Sequence, residues 1–154
     1  MTKALFFDID GTLVSFETHA IPASTIEALT IAHEKGIKIF IATGRPKAII
    51  NNLADIQDRG LIDGYITMNG AYCFVGDEVI YKSAIPAGEV RALAQVCEQK
   101  GYPCIFVGEH TISVCQPNKL VHDIFYDFLH VDEIPVKTFE EAVQEEIFQM
   151  TPFV

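Results

Sequence analysis

The segment at residues 6–12, FFDIDGT, decides the fold of this chain. A short apolar run at residues 3–7 stops at Asp8, which is the pattern of a buried parallel strand that delivers a residue to a loop. Asp8 and Asp10 are two positions apart, and Gly11 lets the backbone turn back after them. We therefore expect a strand followed by a loop that brings two carboxylates toward one pocket.

The next segments continue the alternation of strands and helices. A helix is expected to begin at residues 22–24, because Ser24 and Glu27 have capping-box spacing, and to end at Gly36. A second buried strand is expected at residues 37–42. It ends, like the first, at a polar residue.

Pro46 predicts the first turn of another helix, which continues through Leu53, and a third strand follows at residues 65–68. Strands that alternate with helices in this way form a parallel sheet with right-handed crossovers. The predicted class is therefore α/β, a Rossmann-like doubly wound sheet whose ligands bind at the carboxyl ends of the strands. The polar residues at that edge are Asp8, Thr43 and Asn69.

The pattern changes after the third strand. Residues 71–75 and 78–82 read as alternating strands joined by a hairpin turn at Gly76-Asp77. We place a domain boundary near residues 83–86, with an α/β unit at 1–82 and an incomplete α+β module at 83–154. The module is expected to contain helices at 88–100 and 120–129, a hairpin at 103–115 and a last apolar strand that ends at Val154.

Composition excludes several classes of function. The chain has 154 residues, 49% of them hydrophobic, and a formal charge of −10. That charge argues against nucleic acid, whose binding depends on Lys and Arg contacts to phosphate. No apolar run approaches the roughly 18–20 residues that span a bilayer, and the start lacks a signal-peptide plan, so we expect a cytoplasmic protein with no membrane partner. The four cysteines form no CxxC pair and are expected to be buried thiols.

Two converging carboxylates can divide the work of phosphoryl transfer. One attacks phosphorus as an ionised nucleophile, and the other gives and takes a proton; Asp8 fits the first role and Asp10 the second. Stabilising the transferred phosphoryl group also needs magnesium, together with hydroxyl or amide donors. Thr43 and Gly44 offer such donors at the end of the second strand. Each piece alone has an ordinary structural explanation as a polar turn, a helix cap or a flexible backbone position. The carboxylates and the hydroxyl and amide donors occur together at the ends of two predicted strands. This combination favours a catalytic role over those structural explanations.

These residues resemble two motifs of the haloacid dehalogenase-like (HAD) hydrolase superfamily. FFDIDGT is similar to its first motif, and IFIATGR at residues 39–45 is similar to its second. TMNGA at residues 67–71, followed by a hairpin and an inserted module, resembles the Cof-type sugar-phosphate phosphatases. The resemblance implies a HAD core at 1–82, an α+β cap at 83–154, and Mg²⁺-dependent hydrolysis of a small phosphorylated metabolite such as a sugar phosphate.

The resemblance also implies a role for each motif residue. Asp8 would form an aspartyl-phosphate, and Asp10 would protonate the leaving alcohol and then activate water. Magnesium would be held by the Asp8 carboxylate and the Asp10 main-chain carbonyl, and the phosphoryl group by the Thr43 hydroxyl and the Gly44 amide. Two further substrate-binding candidates support the site: Arg45 and Asn69.

Two motifs of the superfamily are not found in the chain. A lysine and an acidic metal-binding loop normally follow the cap, and neither stands before Val154. Gly76-Asp77 reads as a hairpin turn, and Lys47 as a solvated helix residue. We therefore expect an N-terminal fragment whose first strand forms an exposed sheet edge. Two other functions stay open, a sugar phosphomutase and a catalytically incomplete module.

Overall fold

The strand that leads into Asp8 covers Ala4–Phe7 (β1) in the computed structural model of this chain, which describes residues 3–154. β1 pairs in parallel with Lys38–Ala42 (β2), and β2 pairs in parallel with Gly64–Thr67 (β3). The sheet continues with the antiparallel hairpin of Tyr72–Val75 (β4) and Glu78–Lys82 (β5), in the order β1-β2-β3-β4-β5. The α/β, Rossmann-like class is thus confirmed, as a mixed sheet whose described strands show no reversal of order.

The first crossover helix covers Ala23–Glu34 (α1) and packs against β2. It ends as expected at Gly36, which has a φ of +75° and donates its amide to the His33 carbonyl. The expected capping box is wrong. Ser24 already lies inside the helix, because the helix begins after Pro22 and has no side-chain cap.

The helix expected from Pro46 through Leu53 does not form. A single 3₁₀ turn at Lys47–Ile49 is followed, after a break, by a short helix at Ala54–Gln57 (α2). Asn51 lies in the break, and its side-chain oxygen accepts a hydrogen bond from Arg45. Asparagine side chains that bond elsewhere in this way disfavour helix interiors.

One face of the sheet forms the core of this part of the chain. Ile39 and Ile41 are fully buried and cluster with Leu29 of α1 and with Leu53 and Ile56 beside and within α2. Ile39 and Ile41 are two positions apart on β2, so their side chains lie on the same face of the sheet.

The opposite face of the sheet carries aromatic side chains. Phe6 is 57% exposed and stacks on Phe40 with ring centroids 5.0 Å apart. β1 lies at the edge of the five-stranded sheet, as expected from the sequence.

The chain divides into two compact units. One comprises Met1–Pro46 and Ile50–Lys82, and the other comprises Lys47–Ile49 and Ser83–Val154. Their correspondence to the core and cap domains of the HAD superfamily stays a prediction.

In the second unit, Cys104–Gly108 (β6) pairs antiparallel with Ile112–Cys115 (β7) on one side and with Ile147–Pro152 (β8) on the other. The helices of this unit include a π-helical stretch at Asp123–Phe128, where the sequence predicts one continuous α-helix. Among residues 3–154, no helix is both long and apolar enough to cross a membrane, and a cytoplasmic location stays a prediction. The other helices of this unit are Ala87–Lys100 (α3), Lys119–His122 (α4) and Phe139–Ala142 (α5).

The cysteines of the second unit are buried free thiols, as the sequence indicates. Cys97, Cys104 and Cys115 belong to one apolar cluster, and Cys73 of the first unit is half-buried. Burial raises the pKa of Cys115 to about 11. These thiols are therefore packing groups and not nucleophiles.

Candidate active site

A cavity of about 360 Å³ opens at the carboxyl ends of the parallel strands. Parallel pairing brings the ends of β1, β2 and β3 to one edge of the sheet, where an open α/β sheet binds ligands. The structure thereby brings together four of the residues that the sequence singles out. The cavity is lined by Asp8, Ala42, Thr43, Gly44, Ile66, Asn69 and Gly70.

The Asp8 carboxylate is exposed at this cavity. Within the part of the chain that the structure describes, it makes no hydrogen bond or ion pair. The loop behind it is well bonded, since the Ile9 carbonyl accepts the amides of Leu13 and Val14 at 3.1 and 2.9 Å, and Gly11 turns the chain with a φ of +76°. A rigid loop thus presents an uncommitted carboxylate, as a nucleophile requires.

Thr43 directly follows β2 and is hydrogen-bonded to β3. It is 6% exposed, and its amide donates to the Ile66 carbonyl at 2.9 Å. Its hydroxyl oxygen accepts a hydrogen bond from the Arg45 amide at 3.1 Å, so the hydroxyl hydrogen stays available to a ligand oxygen.

Asn69 occupies a left-handed conformation at the end of β3. Its φ is +55°, and the preceding Met68 has a φ of +51°, a region that costs non-glycine residues free energy and is common at functional sites. Two main-chain bonds to the second motif hold this turn, from Asn69 N to Thr43 O at 3.2 Å and from Met68 N to Arg45 O at 3.3 Å. The second and third strand ends therefore form one bonded unit.

Asp10 and Arg45 form a bidentate ion pair. Arg45 Nε donates to Asp10 Oδ2 and Arg45 Nη2 donates to Asp10 Oδ1, each at 2.8 Å. Neither residue is among the described residues that line the cavity. Of the six candidate residues, the structure thus places four around the cavity and pairs the other two with each other.

The donor set fits a magnesium ion. Mg²⁺ prefers hard oxygen ligands and is usually bound by one or two carboxylates. The Asp8 carboxylate is such a ligand and is not engaged by any described side chain. The Asp10 carbonyl is also a hard oxygen, and its part in holding the ion stays a prediction.

Two groups of residues in the structure are not predicted by the sequence. Asn51 accepts a hydrogen bond from Arg45 Nη1 at 3.3 Å, and nothing in an isolated Asn-Asn pair indicates this. In the second unit, His122, Asp123 and Asp127 have ligand atoms within 4.8 Å of one another. The π-helix brings positions i and i+5 together, and α-helical spacing does not predict that proximity.

Known proteins are similar to this chain along almost its whole length. The family model of the haloacid dehalogenase-like hydrolases matches residues 5–153. A solved structure of the HAD subclass IIB sugar phosphatase BT4131 is 76% identical, has a TM-score of 0.96, and is matched over 99% of this chain and 59% of its own. For BT1666 from Bacteroides thetaiotaomicron, described as a phosphatase of the HAD superfamily, the identity is 37%, the TM-score 0.76, and the coverage 96% and 54%.

A curated relative of this chain is, like those two solved structures, described as a phosphatase. The Bacillus subtilis (strain 168) protein named "Putative phosphatase YkrA" is 29% identical over 157 residues, which are 99% of this chain and 57% of that protein. The chain thus spans somewhat more than half the length of these relatives. Because the family model covers nearly all of its residues, the chain belongs to the haloacid dehalogenase-like hydrolase family.

Proposed function

We propose that the full-length protein is a Mg²⁺-dependent phosphatase that hydrolyses small phosphomonoesters, sugar phosphates among them, through an aspartyl-phosphate on Asp8. One observation carries the proposal, the uncommitted Asp8 carboxylate in a cavity that it shares with Thr43, Gly44 and Asn69. Family membership supports the reaction class. The high identity to a protein described as a sugar phosphatase supports the substrate class.

The reaction begins with attack of an Asp8 carboxylate oxygen on phosphorus. The bond between phosphorus and the ester oxygen breaks as the new bond forms, and Asp10 gives its proton to the departing alcohol. Asp10 then takes a proton from water, whose oxygen attacks the same phosphorus. Inorganic phosphate leaves, and the Asp8 carboxylate is restored.

Stabilisation of the transferred group falls to donors at the end of β2. Phosphoryl transfer spreads charge over the equatorial oxygens, so preorganised donors act where the charge develops. The Thr43 hydroxyl is buried and held by the Arg45 amide, and the Gly44 amide belongs to the same turn.

The Asp8 carboxylate and the Asp10 carbonyl would hold magnesium. When bound, the ion neutralises charge on the phosphoryl oxygens and on the nucleophile, which lets an anionic substrate approach a chain with a formal charge of −10.

Substitution of Asp8 tests the mechanism. In the full-length protein, Asp8→Asn should reduce magnesium-dependent phosphate release from a hexose phosphate at least about 1000-fold, because an amide is a poor nucleophile. The matched control is Asp77→Asn, in the exposed β4–β5 turn, which should leave the rate unchanged. Normal turnover by Asp8→Asn would refute the mechanism, and an isomerised hexose phosphate in place of inorganic phosphate would show a mutase instead.

A further inference from the structure

Arg45 is buried to an unusual degree for an arginine at the rim of a candidate active site. Its side chain is 7% exposed, while that of Asp10, its partner, is 30% exposed. Both oxygens of the Asp10 carboxylate accept hydrogen bonds from the guanidinium, at 2.8 Å each. This fork geometry fixes the plane of the carboxylate as well as its position.

Other bonds hold the arginine itself. Its amide donates to the Thr43 hydroxyl oxygen, its carbonyl accepts the Met68 amide at 3.3 Å, and its Nη1 donates to Asn51 Oδ1. From its place in the second motif, Arg45 is expected to be a substrate-binding residue. The guanidinium instead lies against Asp10, and Arg45 is not among the described residues lining the cavity of Asp8 and Thr43.

We propose that Arg45 is the positioning residue of Asp10, oriented in turn by Asn51, and that it does not bind the phosphoryl group. This inference rests on the proposed function, in which Asp10 moves the proton. A carboxylate on a short side chain samples several rotamers unless it is held, and proton transfer requires hydrogen-bond geometry to the leaving oxygen. When one Asp10 oxygen carries the proton, the other keeps its bond to Arg45, so the group stays oriented through the cycle.

The test separates the proton step from the rest of the reaction. First-turnover release of the leaving group is measured for a hexose phosphate, whose alcohol needs a proton, and for 4-nitrophenyl phosphate, whose leaving group departs as a stable anion. In the full-length protein, Arg45→Gln should slow release from the hexose phosphate about 100-fold and from 4-nitrophenyl phosphate less than about threefold, with KM unchanged for both. Arg45→Lys, which keeps one charged donor, should recover part of the loss.

Two further variants complete the test. Arg59→Gln removes an exposed arginine of the same unit and should change neither rate. Asn51→Ala removes the acceptor of Arg45 Nη1 but keeps the arginine. It should slow release from the hexose phosphate more than release from 4-nitrophenyl phosphate, by a smaller factor than Arg45→Gln does. It therefore tests the inference even if Arg45→Gln fails to fold. Equal losses on both substrates, or a rise in KM alone, would overturn the inference while the phosphatase proposal stands. An unsubstituted protein that releases neither leaving group would overturn both.

Discussion

At Gly44 the main chain passes unusually close to a neighbouring side chain. A Cβ atom built there lies 3.1 Å from Asn69 Oδ1, which is closer than ordinary van der Waals contact. The same Asn69 is held in a left-handed conformation by its bond to the Thr43 carbonyl. Gly44 thus has a steric role as well as an amide that can face a phosphoryl oxygen.

Gly44→Ala should therefore weaken substrate binding with little effect on stability. The added methyl group displaces Asn69 from the cavity, and we expect KM for a phosphate ester to rise about tenfold, equivalent to about 1.4 kcal/mol, while the thermal midpoint stays within about two degrees. Gly88→Ala is the matched control, because a Cβ at that position has no atom within 4 Å. An unchanged KM would show that displacement of the Asn69 side chain does not affect substrate binding.

The sequence predicts which residues meet at the cavity, but not what each side chain does there. Strand order and direction are enough to place Asp8, Thr43 and Asn69 at one edge. The pairing of Asp10 with Arg45 depends on rotamers and on burial, which the motif letters do not carry. The motifs therefore point to both residues but do not indicate that the two are paired.

At the scale of elements, Asp63 joins the beginnings of β2 and β3. Its carboxylate accepts hydrogen bonds from the Ile39 amide at 2.8 Å and the Lys38 ammonium at 2.6 Å, and its own amide donates to the Ile39 carbonyl. Burial raises the pKa of Asp63, but the bonds from Lys38 and Ile39, with the charges of Lys38 and His33, outweigh it and leave the pKa below its ordinary value. The ionised carboxylate therefore stabilises the strand pair.

Asp63→Asn should make that stabilisation visible as a pH dependence. An aspartate whose pKa is lower in the folded than in the unfolded chain, where it is about 3.9, contributes fully above that value and loses its contribution as the pH falls through the folded pKa. Urea unfolding should show the variant less stable by about 1 kcal/mol at pH 7, with the difference shrinking as the pH falls below about 3.9. A difference that is constant with pH would mean that charge has no part in it.

Patterns of apolar residues predict the strands and the long helices well, because those elements bury a regular face. They fail between residues 46 and 53, where Asn51 accepts a hydrogen bond from the nearby Arg45 and the helix is reduced to one 3₁₀ turn. They also miss the π-helix at Asp123–Phe128, because an apolar pattern that predicts an α-helix does not indicate i→i+5 hydrogen bonds. Apolar spacing indicates neither the side-chain bond between Arg45 and Asn51 nor the π-helical turn.

At the scale of the whole molecule, each unit has its own hydrophobic core. The core of the second unit contains Phe106 on the central strand β6, which is 1% exposed and meets Phe139 edge-on at 5.9 Å. β6 pairs on both sides, with β7 and β8, and α3 packs against β8. A segment whose sheet and helices pack around one hydrophobic core has what independent folding requires.

Residues 83–154, expressed alone, should therefore fold. We expect native-like far-UV circular dichroism and a single cooperative thermal transition, of low stability because so small a domain buries only about 60% of its surface. Phe106→Ala should remove about 3–5 kcal/mol and abolish the transition, whereas Val96→Ala, at an exposed helical position, should preserve it. A segment that melts without cooperativity, beside a longer protein that unfolds cooperatively, would show that the second unit depends on residues outside 83–154.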